Sequence, residues 1–199
     1  MTQRFDGHIT GLGTTSGTRV VVGLWDQSPH GAFADAMVER VDGWRTLLAP
    51  DPWVADLVSS TYAFDEILVV PVTAHRWGFA AGPLRVEWRL GRRAAVGWAL
   101  RAVPRPIGRS ESWARLCDPL ARRLMPGVRT HGSAGGGRVE WYAASDAWLV
   151  TSADVSWEGQ HLGALDEVTP PVRFGFGSAP RTPMTTRVTS FIGEDATTS

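Results

Sequence analysis

The stretch GLGTTSGTRVVVGLW, Gly11 to Trp25, admits two readings that lead to different folds. A dinucleotide-binding loop needs a strand, then G-x-G-x-x-G, then a helix whose N-terminus faces the pyrophosphate. Here Gly11, Gly13 and Gly17 are spaced G-x-G-x-x-x-G, one residue too long. The next residues are Thr18-Arg19-Val20-Val21-Val22, rich in β-branched side chains that favour a strand. With no helix after the loop, no helix dipole points at a phosphate. The stretch therefore reads as two strands joined by a turn of small residues that tolerate unusual backbone angles.

The same period of two recurs along the chain. Leu84, Val86, Trp88 and Leu90 alternate with Arg85, Glu87 and Arg89, the pattern of a half-buried strand. Gly91-Arg92-Arg93 reads as a turn, with Val96, Trp98 and Leu100 alternating on the way back as a hairpin. A second hairpin spans Ala36–Val41 and Trp44–Leu48 around Asp42-Gly43, a dipeptide suited to the positive φ of a tight turn. A third runs from Arg138–Ala143 to Trp148–Val155 and turns at Ser145-Asp146. Glu66–Ala74 and Thr185–Ile192 read as further strands, the first at an edge or bulged because of Pro71. Two segments depart from this period. Asp51-Pro52 opens a short helix, with Asp51 as N-cap and Pro52 in the first turn. From Ser110, residues Trp113, Leu116, Cys117, Leu120 and Leu124 recur at helical spacing, with a kink expected at Pro119 and an end at Pro126-Gly127. The glycine-rich run Gly132–Gly137 reads as a mobile loop.

The expected fold is thus α+β: a mostly antiparallel β-sheet curled into a barrel or cone, with two short helical segments. It is expected to form one domain over residues 1–192, with 193–199 as a frayed tail. At 199 residues the chain is long enough to close one hydrophobic core.

Composition excludes several chemistries. All 20 basic residues are arginine. Without lysine, neither a side-chain Schiff base nor a P-loop can be built. Cys117 stands alone, so no intrachain disulfide and no multi-cysteine metal site can form. The five histidines, His8, His30, His75, His131 and His161, include no pair at the i, i+4 spacing of a helical zinc site. There is no G-x-S-x-G elbow for a serine nucleophile. Cys117 itself reads as a structural thiol on an apolar helical face. No motif implies a cofactor. The formal net charge of +0, without a basic cluster, argues against nucleic acid as a partner. No apolar run approaches the ~18 residues of a membrane span, and no leader is apparent, so a cytoplasmic protein with no membrane partner is expected.

The ten tryptophans are either core filling or the walls of an aromatic-lined cavity. Arg85, Glu87 and Arg89 read as a solvated outer face; in a polar lumen they would instead line it. His30 lies in Ser28-Pro29-His30-Gly31, a loop held by proline and glycine, where function tends to reside.

Gly31, Phe33 and Asp35 in HGAFADAMV, followed by Leu47-Leu48-Ala49-Pro50 and the Asp51 helix, resemble acetoacetate-decarboxylase-like barrels in layout. The resemblance covers about Ser28 to Val72. The chain as a whole is also similar in type to an uncharacterised bacterial family with no known activity. Where the barrel family carries its Schiff-base lysine, after the helix, this chain reads Tyr62-Ala63-Phe64-Asp65-Glu66. The resemblance implies a β-barrel with a pocket, without the imine reaction, and implies Asp35 and Glu66 as pocket residues.

The leading expectation is a non-catalytic small-molecule-binding protein with an aromatic-lined cavity. His30, Asp35 and Glu66 would mark its mouth, and Arg85 or Arg101 would pair with an acidic ligand. The alternatives are an enzyme that moves protons with a carboxylate pair, such as Asp35 with Glu66, and a homo-oligomeric or partner-binding protein using an exposed strand edge or apolar patch.

Overall fold

The computed structural model describes residues 2–108, 110–124, 130–133, 138–175 and 179–194. In it the Gly11–Trp25 stretch is a hairpin. Strands β1 (Gln3–Thr14) and β2 (Arg19–Gln27) run antiparallel, with Gly13 opposite Arg19. Thr14 N–H donates to Thr18 O at 3.0 Å across the turn, and Gly17 supplies the positive φ of +84°. Gly11 and Gly13 lie within β1, where they allow close approach. A Cβ on Gly13 would come within 1.9 Å of the Glu167 carbonyl oxygen.

Strands β3 (Phe33–Glu39) and β4 (Arg45–Ala49) form the Asp42-Gly43 hairpin, with Gly43 at φ +86°. Helix α1 (Pro52–Ser59) starts where Asp51 Oδ1 accepts the Val54 N–H at 2.9 Å. The chain then forms β5 (Glu66–Val69), β6 (Val72–His75), β7 (Gly78–Ala81) and β8 (Leu84–Arg93). Next come α2 (Ala95–Ala102), α3 (Arg105–Gly108), α4 (Glu111–Leu124) and β9 (His131–Ser133). Strands β10 (Arg138–Trp157), β11 (Gln160–His161), β12 (Leu165–Asp166) and β13 (Met184–Glu194) complete it.

Ten strands follow one path, β5-β4-β3-β2-β1-β13-β10-β8-β7-β6. All its pairings are antiparallel except β4 with β5. The two ends of the path, β5 and β6, are neighbours in the chain, separated only by Val70 and Pro71. The sheet is therefore curled into a half-barrel. One buried cluster joins Leu12, Val22, Val38 and Leu48 to Phe79, Val86, Trp88 and Val155, which a flat sheet would keep apart. The alternate residues face outward. Val21 packs under Val168, Val172, Phe174 and Ala179, and Leu47 and Ala49 pack under Val54 and Ala55 of α1. Each large aliphatic side chain removed from water in this way contributes ~1.5–3 kcal/mol.

The α+β class and the curled sheet agree with the sequence expectation, and four sequence readings are corrected. Gly91-Arg92-Arg93 is not a turn: β8 continues to Arg93, and 95–102 is helix α2. This segment is rich in alanine, and Gly97 lets its backbone approach β10, since a Cβ there would meet the Ala147 carbonyl oxygen at 2.5 Å. Trp98 is accordingly 61% exposed. Second, Ser145-Asp146 does not reverse the chain. It is a bulge in the continuous strand β10, opposite Val188 and Arg187 of β13, stapled by Asp146 accepting from Arg93 Nε at 2.8 Å. Third, Glu66–Ala74 is two strands, because Pro71 has no N–H to donate and the chain changes partner there, from β4 to β7. Fourth, α2 and α3 add to the two expected helices, and α4 is continuous through Pro119. The expected stop at Pro126-Gly127, residues 134–137 of the glycine run and 195–199 of the tail lie outside the described residues; Gly193 and Glu194 belong to β13.

Leu84, Val86 and Trp88 are buried while Arg85, Glu87 and Arg89 are exposed, so the charged row is the outer face. Of the tryptophans only Trp88 is fully buried; Trp44 and Trp98 are exposed and the rest half-buried. No helix among the described residues is long and apolar enough to cross a membrane.

Candidate functional site

Strand parity distributes the candidate residues over three places. Asp35 opposes Gly23 on β3, on the outward face with Phe33 and Met37. That face is roofed by α1 and the turn after it. Between them lies a recess of about 60 Å³, walled by apolar groups such as Phe5, Val21, Met37 and Leu57. Its polar members are Asp35, Thr61, Tyr62, Glu140, Tyr142 and Ser190.

Asp35 is only 4% exposed, and among the described residues its one hydrogen bond comes from Trp25 Nε1 at 3.0 Å. Burial disfavours the charged form and raises its carboxyl from 3.8 to about 7, against the smaller opposing effect of the Trp25 bond. Around it, Tyr62 and Tyr142 share a short hydroxyl–hydroxyl hydrogen bond. Glu140 accepts from Ser190 Oγ at 2.7 Å and from Tyr62 Oη at 3.4 Å. Burial, then the Glu140 charge, hold both phenols well above their ordinary range, so they stay protonated and can donate. Thr61 Oγ1 is buried here without a hydrogen-bond partner among the described residues.

Glu39 shows what a compensated carboxylate looks like on the same strand. It is fully buried, and its Oε1 is 2.9 Å from both Arg19 Nη2 and Arg173 Nε. Asp35 has no such cation among the described residues. A buried acid facing a recess with no counter-charge among the described residues is costly to fold around, which makes this recess the candidate site.

The second place is the open end of the half-barrel, a cavity of about 1370 Å³. His30 and Arg101 line it, with Trp25, Trp77 and Trp148 in its wall. His30 stacks on Trp53 with ring centroids 4.4 Å apart, and its Nε2 is 3.1 Å from Asp51 Oδ2. Arg101 lies 3.4 Å from Asp146 Oδ2.

The third place is the other end of the half-barrel. Glu66 opposes Thr46 of β4, whose Oγ1 donates to Glu66 Oε2 at 3.1 Å. This register puts Glu66 on the inward face with Leu48 and Leu68, so Asp35 and Glu66 project from opposite faces of the sheet. The expected Asp35–Glu66 carboxylate pair does not form. Arg85 is on the exposed outer face of β8 and lines none of these places.

The residues gathered around Asp35 were missed by sequence reasoning, apart from Tyr62 as the start of the post-helix segment. A usable signal was present: Glu140 and Tyr142 alternate on a strand with Trp141 and Ala143, a carboxylate and a phenol on one face. Among the described residues no group of three or more His, Cys, Asp or Glu side chains is placed to hold a metal ion. No family model, no curated protein and no solved structure matches this chain.

Proposed function

We propose that the recess beneath α1 binds a small, mostly apolar molecule through a single polar group held by Asp35 and Tyr62. The observation that carries this reading is the buried carboxyl of Asp35, with no cation beside it among the described residues, at an apolar-walled recess of about 60 Å³. That volume takes a molecule of a few non-hydrogen atoms.

A second reading, proton transfer next to a carbonyl, is favoured by the Asp35 carboxyl lying at about 7, near the pH at which it would work. The Tyr62 hydroxyl would donate to the carbonyl oxygen while the Asp35 carboxylate takes a proton from the adjacent carbon. The same carboxyl then returns a proton to that carbon.

Butan-2-one is a suitable probe. Binding predicts a rise in melting temperature and a bound mass in native mass spectrometry, both lost in Asp35→Asn and Tyr62→Phe. Proton transfer predicts, in addition, deuterium uptake at the carbons flanking the carbonyl in D₂O, dependent on Asp35. Bound ketone without exchange leaves the binding reading alone. If small ketones, alcohols and amides all fail to bind, the recess is a packing defect and both readings fall.

A further inference from the structure

The open end of the half-barrel has a charge pattern of its own. His8, Arg187 and Asp146 are consecutive cross-strand partners on β1, β13 and β10. Each acid at this end already has a basic neighbour. Asp146 is held by Arg93 and Arg101, Asp51 by His30, and Asp26 lies 4.0 Å from His8.

Two cations are left over. Arg187 and Arg76 line the cavity, and no carboxylate of the described residues lies within ion-pair distance of either guanidinium. They flank His8 from different elements, Arg187 as its cross-strand partner on β13 and Arg76 from the β6–β7 turn. Both are close enough to His8 to oppose a proton on it, adding to burial, the larger cause of its lowered value; Asp26 acts the other way. Arg76 also lies over the Trp77 ring, 5.2 Å from its centroid, and Trp77 meets His8 edge-on at 6.1 Å. Two guanidiniums flanking His8 with no carboxylate partner among the described residues, one of them over an indole ring, favour a ligand with an acid group and a flat apolar body.

We propose that this open end is a second binding site, distinct from the recess beneath α1, for an aromatic carboxylate. Its acid group sits between Arg187 and Arg76 beside His8, and its ring lies against Trp77 and Trp148. Arg93 and Arg101, shared with Asp146, form the far rim.

Titration of the full chain with naphthalene-2-carboxylate, followed by quenching of tryptophan fluorescence, tests this. The neutral 2-naphthamide is the control on the same unaltered protein. Saturable binding of the carboxylate is expected, at least about ten-fold tighter than the amide. Arg187→Gln and Arg76→Gln should each weaken the carboxylate by about ten-fold and leave the amide unchanged. Both side chains are exposed, and melting curves verify that the variants fold. Asp35→Asn should leave the carboxylate affinity intact, which separates this site from the α1 recess. Equal affinity for acid and amide, or variants that melt and bind as the unaltered chain does, would overturn the proposal. So would loss of carboxylate binding in Asp35→Asn, which would move the ligand into the other pocket.

Discussion

Replacing Asp35 by asparagine should change how stability depends on pH more than stability at any one pH. Asp35 is 4% exposed, and burial raises its carboxyl from 3.8 to about 7 in the folded chain. Between those values the unfolded chain has released the proton and the folded chain has kept it. Folding in that window takes up a proton, so stability falls as pH rises and levels off above about 7. At ~1.36 kcal/mol per pH unit, the whole effect is ~4 kcal/mol. Asparagine keeps an oxygen to accept from Trp25 Nε1 but cannot ionise. The difference in unfolding free energy, variant minus unaltered protein, should therefore swing toward the variant by ~4 kcal/mol between about pH 4 and about pH 8. His8, whose lowered value gives the opposite slope at and below its ordinary 6.5, cancels in this difference. Urea unfolding monitored by tryptophan fluorescence at several pH values supplies the measurement. A difference flat to within ~1 kcal/mol across that range would mean that Asp35 is ionised in the folded protein. The recess beneath α1 would then be neither dry nor a site for a neutral polar group.

Two further substitutions probe the scaffold by denaturant unfolding. Glu39→Ala should cost about 3–5 kcal/mol, because it strands the buried Arg19 guanidinium that Glu39 neutralises; a loss below ~1 kcal/mol would mean the triad is solvated. Gly13→Ala should cost more than Gly17→Ala. The former drives a methyl onto the Glu167 carbonyl oxygen, whereas the latter places alanine at φ +84° at about 1 kcal/mol. The reverse order would mean that Glu167 does not pack on β1.

Much of the fold was legible because the relevant signals are local. The alternation from Leu84 to Leu90 sorts side chains to two faces whatever the strand pairs with. Asp42-Gly43 and Asp51-Pro52 act over three or four residues, and both features form where the sequence indicated. The misreadings share one cause. Val96, Trp98 and Leu100 fit a strand by alternation, but the alanines around them and the close docking permitted by Gly97 favour a helix. At Ser145-Asp146 the turn-forming residues are present, yet the ion pairs of Asp146 with Arg93 and Arg101 are long-range and hold the chain in a bulge instead.

The candidate site was legible only in fragments. Asp35 and His30 stood out by residue type and setting, but nothing local separates a carboxylate that meets two arginines, as Glu39 does, from one that meets none among the described residues.

By itself, then, the amino-acid sequence determined the strand-rich class, the hairpins that turn at Gly17 and at Asp42-Gly43, the helix after Asp51 and the exclusion of lysine and multi-cysteine chemistry. These depend on short-range backbone preferences and on which functional groups exist in the chain at all. Only the tertiary structure decided that β5 and β6 tie the ends of one curled sheet, that Asp35 and Glu66 lie back to back across it, and that Asp35 meets Tyr62, Glu140 and Tyr142 beneath α1. Those outcomes depend on register and curvature, which are set by the packing of residues far apart in the chain.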